Sequence, residues 1–81
     1  MSKDPELKWE LKRNSRSTDT WVECQTDIGH FSVENSQDMK YYVAWTQIGS
    51  DDSIIVIKHQ VNRFEAQKAT ERFIKGVKKR V

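Results

Sequence analysis

The sequence predicts an α+β domain: a four- to five-stranded antiparallel sheet followed by one C-terminal helix packed on one of its faces. Three observations carry this reading. Between residues 7 and 58, short segments alternate apolar and polar residues with period two, as half-buried strands do. The segments between them are brief, polar and rich in Asn, Asp, Ser and Gly, the residues that favour turns. Beyond Asn62 the period changes. At 100° per residue, Ala66, Ala69, Thr70, Phe73, Ile74, Val77 and Val81 fall within one arc, the apolar stripe of a helix.

Taken in order, residues 1–6 read as a flexible lead-in, and 7–81 as a single sheet-plus-helix domain. Leu7, Trp9 and Leu11 alternate with Lys8, Glu10 and Lys12, which predicts a half-buried first strand. Asn14 to Asp19 holds no apolar residue and predicts a loop. In the second strand, Thr20 to Thr26, Val22 and Cys24 share one face and Trp21, Glu23 and Gln25 the other. Asp27-Ile28-Gly29 predicts a tight hairpin connection, since glycine tolerates the positive φ such turns need. The third strand, His30 to Glu34, carries Phe31 and Val33 on one face. After the polar stretch Asn35 to Asp38, the fourth strand runs from Lys40 to Gln47, setting Tyr41, Val43 and Trp45 against Tyr42, Ala44 and Thr46. Gly49 to Ser53 is a turn. Ile54 to Lys58 is the fifth strand, and its unbroken β-branched run predicts burial on both faces, hence a central position or a layer on each side. Asn62 is placed to cap the helix, with Glu65 three residues later in the capping-box position.

A chain of 81 residues supports one domain with a thin core. With 36% apolar and 32% charged residues, three Trp, three Phe and two Tyr, it is too apolar for a disordered chain. Cys24 is the only cysteine, which excludes an intrachain disulfide and a multi-cysteine zinc site, and fits a reducing compartment. No apolar run approaches the length of a signal-peptide core or a membrane span, so the expected location is cytoplasmic. The net charge of +2 is unevenly spread. Residues 58–81 carry +6 and residues 1–57 carry −4, an asymmetry expected of an element that presents a positive field to a partner.

The residues for catalysis are sparse. Cys24 and His30 flank one hairpin, so a Cys–His pair is geometrically conceivable, but Cys24 alternates with Val22 on the apolar face, where cysteines are inert packing residues. His59 stands apart on another strand, and neither histidine has a ligand partner at helical spacing. Asp51-Asp52 lack the alternating spacing and closing Glu of a calcium loop and read as turn formers. Three scattered glycines cannot build a phosphate cradle. The expectation is a non-enzymatic protein without metal or cofactor.

Two surfaces remain. Lys68, Arg72, Lys75 and Lys79 follow i, i+4, i+7, i+11 opposite the apolar arc, with Lys78 and Arg80 at the end of the helix. Such a stripe grips phosphates or an acidic protein patch, or is simply a solvated face whose cations suit the helix C-terminus. The second surface follows from geometry. One helix covers one sheet face, yet the second and fourth strands carry large residues on both, so Trp21 and Tyr42 are expected on the uncovered face. Aromatics there serve as interface anchors or base-stacking platforms; a dimer interface or a sheet curling over them is the alternative. From Thr20 to Gln47 the acids are Glu23, Asp27, Glu34 and Asp38 and the only base is Lys40, a balance that repels a phosphate backbone.

The stretch from Lys40-Tyr-Tyr-Val-Ala-Trp through Arg63-Phe-Glu-Ala-Gln-Lys-Ala is similar to that of many small phage and prophage proteins. Its outline also resembles the sheet-then-helix arm-binding domains of some phage integrases, which read DNA with basic strands. Here Glu23, Asp27 and Glu34 depart from that pattern. The resemblance covers about half the chain and implies a mobile-element accessory protein. Many of these bind stoichiometrically to a host or defence protein, including CRISPR and restriction complexes. The expected partner is thus a protein or nucleoprotein complex that this chain modulates or inhibits. The alternative is nucleic acid held by the basic helix; no membrane is implied, and a homodimer stays open.

Overall fold

The computed structural model describes residues 7–79. The lead-in expected at 1–6, and Arg80 and Val81 at the end of the expected helix, lie outside the described residues. Five strands, β1 (Glu10–Arg13), β2 (Thr20–Thr26), β3 (Gly29–Ser36), β4 (Lys40–Gln47) and β5 (Ser53–Gln60), precede one helix, α1 (Arg63–Lys79). The strands lie side by side in the order in which they occur, each antiparallel to the next. The fold is α+β, as the alternating patterns predicted.

Short polar connections set this meander. Asn14–Asp19 is the loop between β1 and β2, held by its own side chains: Arg16 N–H donates to Asn14 Oδ1 at 2.9 Å and Asp19 N–H to Ser17 Oγ at 3.2 Å. Asp27 and Ile28 alone join β2 to β3, with Gly29 following at φ 138°. A Cβ at Gly29 would stand 2.3 Å from the Thr46 carbonyl oxygen and 2.6 Å from Trp45 Nε1, so space as well as φ demands glycine. The Trp45 indole crosses there to donate to the Ile28 carbonyl at 3.1 Å. At the start of β4, directly after the turn, Lys40 takes the left-handed φ of 53° without being glycine. At the helix start Glu65 N–H donates to Asn62 Oδ1 at 2.8 Å, the cap expected from the sequence.

The core lies between the sheet and α1, which packs over β3, β4 and β5. Val22, Phe31, Val33, Val43 and Trp45 from the sheet meet Ala66 and Ile74 from the helix. Phe31 and Trp45, direct cross-strand partners, stack with centroids 5.6 Å apart, and Phe73 meets both edge-on at 6.1 and 5.3 Å. Thr70 is fully buried without loss because its hydroxyl donates to the Ala66 carbonyl one turn back. The helix backbone does not lie over β1 and β2, but Arg63 at its start reaches β2, its guanidinium donating to Thr20 Oγ1 at 3.1 Å. Leu7 and Trp9 pack against the core, and the Lys8 backbone reaches Cys24.

Two expectations about the sheet margins require correction. The half-buried first strand was expected to include Leu7 and Trp9. The strand begins at Glu10 and is exposed throughout, with Leu11 60% exposed, because it sits at an edge beyond the helix. The fifth strand was expected to be central or sandwiched. β5 is instead the opposite edge, with Ile54 and Ile55 exposed. Two register shifts against β4 explain how four successive β-branched residues are accommodated. Val56 is extra between the Val43↔Ile57 and Ala44↔Ile55 pairs, and both Val56 and Ile57 turn toward the core. His59, at φ 61°, marks the second irregularity, where its N–H donates to the Met39 carbonyl at 2.9 Å.

Candidate functional site: the open face of the sheet

Residues paired across antiparallel strands point to the same face. Trp21 lies opposite Lys12 on β1; one step beyond the Val22↔Val33 pair it also stands across from Glu34, whose partner on β4 is Tyr42. Lys12, Trp21, Glu34 and Tyr42 therefore form one row across four strands, on the side away from α1. The next row is Glu10, Glu23, Ser32, Ala44 and Ile55. A third holds Gln25, His30 and Thr46. Trp21 and Tyr42 thus occupy the face left uncovered, both half-buried by their neighbours.

Two carboxylates organise this surface. Glu23 accepts a hydrogen bond from the Trp21 indole N–H and lies 3.2 Å from His30 Nε2, while His30 Nδ1 stands 3.1 Å from Gln25 Oε1. Glu34 accepts from the Ser32 hydroxyl at 3.0 Å and from the Tyr42 hydroxyl at 3.4 Å. Burial and the adjacent Glu34 charge both push the Tyr42 phenol above its ordinary range, since each disfavours a phenolate. A shallow depression is lined by Glu10, Lys12, Glu23, Cys24, Gln25 and His30. The surface is therefore two aromatic bodies held apart by one acid, with a second acid anchoring the indole. It suits a cationic or hydrogen-bond-donating group that also offers apolar area.

The basic residues of α1 point elsewhere. Lys68, Arg72, Lys75, Lys78 and Lys79 are all exposed; all but Lys78 lie on the side opposite Ala66, Thr70 and Ile74. Lys68 sits over the Phe64 ring at 4.6 Å, an i, i+4 cation–π contact. Lys78 forms an ion pair with Asp27 at 3.1 Å, tying the last helical turn to the β2–β3 turn. Lys78 thus serves an intramolecular contact in addition to any role in the stripe. The helix stripe and the open sheet face lie on opposite sides of the molecule, so one flat ligand does not span both.

The residues weighed for chemistry are dispersed. Cys24 pairs with Phe31 and His30 with Gln25, which puts the thiol and the imidazole on opposite faces. Burial, the largest effect, raises the Cys24 thiol above its ordinary value, the reverse of an activated nucleophile. Among the described residues no three His, Cys, Asp or Glu side chains gather at metal-binding distance. Asp52 sits in the β4–β5 turn, where its N–H donates to Ser50 Oγ. No described helix is long and apolar enough to cross a membrane.

From the sequence, Glu23 and Glu34 count only toward the acidity of the sheet and His30 only as a conceivable partner of Cys24; neither they nor Ser32 are among the expected contact residues. Their signal was present in the parity of β2 and β3, but only the strand register shows which of them flank the aromatics. The chain matches no family model, no curated protein and no solved structure with significance.

Proposed function

We propose that this protein is a non-enzymatic binding module that docks through the open face of its sheet onto a protein, or onto the protein part of a nucleoprotein complex, and modulates it. The row Trp21–Glu34–Tyr42 carries the reading. Aromatic side chains pre-oriented by carboxylates offer anchor area at small entropic cost, and their acidity selects a basic protein segment over a phosphate backbone. A phage-type accessory factor acting on a host or defence complex fits this surface, because stoichiometric inhibition needs a rigid docking face and no catalytic groups.

A second reading, nucleic-acid binding, is favoured by one separate observation: Lys68, Arg72, Lys75 and Lys79 are exposed along one side of α1. The two separate by mutation. Binding partners are captured quantitatively from bacterial lysate, and short duplex and single-stranded DNA are titrated at low and moderate salt. The proteins compared are the native chain, a Trp21→Ala/Tyr42→Ala variant and a variant with the four helix bases reversed. Docking by the sheet predicts specific partners lost only in the aromatic variant and no salt-sensitive DNA binding. DNA binding abolished only by the helix reversal would establish the second reading instead.

A further inference from the structure

We propose that β5 is the seam of a symmetric dimer, in which the β5 strand of a second copy of this chain pairs antiparallel with it about a two-fold axis near Ile55. The five-stranded sheet would then continue into ten strands. Six large apolar side chains are exposed among the described residues, and five of them follow this edge: Ile48 before β5, Ile54 and Ile55 on it, Val61 and Phe64 just after it. β5 is bonded to β4 on one side only, so backbone groups on its outer side have no strand to meet.

The edge is complementary to itself, which selects a second copy over another occupant. Exposed acids, Asp51 and Asp52, precede the apolar stretch, and exposed Lys58 and His59 follow it. Antiparallel pairing about Ile55 sets the acids of each copy against Lys58 and His59 of the other, and apolar residues against apolar residues. It also lays Ile48 of one copy toward Val61 of the other. Parallel pairing would oppose acid to acid and base to base. The ladder with β4 is regular through Ser53–Ile55, and the inserted Val56 lies immediately beyond the axis. At the opposite edge, β1 is four residues long and reads Glu-Leu-Lys-Arg, the short charged form that discourages pairing.

Sedimentation equilibrium over a wide concentration range tests this. The native chain should show a monomer–dimer equilibrium. Ile55→Lys should weaken it by about tenfold or more, with an unchanged circular dichroism spectrum. Asp52→Lys should weaken it, and adding Lys58→Asp should restore it, because the exchanged charges face each other again. A mixture of isotope-labelled and unlabelled chains should give an intermolecular contact between the two Ile55 side chains. A monomer at every concentration would overturn the proposal. So would a dimer that survives Ile55→Lys, or one abolished by Trp21→Ala and left intact by the edge variants.

Discussion

On the covered face of the sheet, Phe31, Val33 and Val43 are at most 1% exposed, and Phe31 stacks flat on Trp45. On the open face of the same strands, the intervening positions Ser32, Glu34 and Tyr42 are half-buried and joined by hydrogen bonds. The first face gains its stability from area removed from water, at roughly 25 cal/mol per Å². The second exchanges hydrogen bonds with water for hydrogen bonds with itself, a net gain of about 1 kcal/mol each. One face therefore maintains the fold, and the other is free to be shaped by what it must touch.

That division can be broken first at its strongest point. Phe31→Ala should cost about 3–5 kcal/mol in urea unfolding, a large part of the stability of a domain this size. Trp21→Ala on the open face should cost far less; an equal loss would abolish the distinction between the faces. Gly29→Ala tests the junction of the two, since the new Cβ collides with the Thr46 carbonyl and the Trp45 indole. It should cost about 1–3 kcal/mol and disturb the Trp45 fluorescence. Asn62→Ala removes the helix cap and should cost about 1 kcal/mol, with Asn62→Asp retaining most of it.

Titration sharpens the comparison. The Tyr42 phenol is raised from 10.0 by burial and by Glu34. Its contribution to stability is complete below that unfolded value and is lost as pH climbs through the higher folded value. Glu34→Gln should move the phenol downward in an ultraviolet titration. An unmoved phenol would show that the carboxylate does not govern it. Smallest of all, a double-mutant cycle on Asp27 and Lys78 should return under about 1 kcal/mol, because the pair is largely solvated.

The alternation of Val22 and Cys24 with Trp21 and Glu23 was enough to place β2, and the arc from Ala66 to Val77 was enough to orient α1. Both rest on local periodicity, which the chain carries residue by residue. The central position expected for β5 does not form, because a β-branched run is the same string whether it is buried on both faces or bent by a bulge at an edge. Only the pairing with Val43 and Ala44 reveals that Val56 is an inserted residue. Of the open face, Trp21 and Tyr42 were expected from parity, whereas the role of Glu34 between them needed the register. Lys78 was grouped with the helix stripe because nothing in sequence links it to Asp27, fifty-one residues earlier.

The meander order has a kinetic consequence. Every strand pairs with the strand made just before it, so each pairing closes only a short loop and long-range closure entropy stays small. The sheet can grow strand by strand as the chain leaves the ribosome. Until α1 emerges, however, Phe31, Val43 and Trp45 have no lid. The helix is thus the step that ends the aggregation-prone interval of synthesis, and truncation before Arg63 should yield insoluble chain rather than a smaller folded sheet.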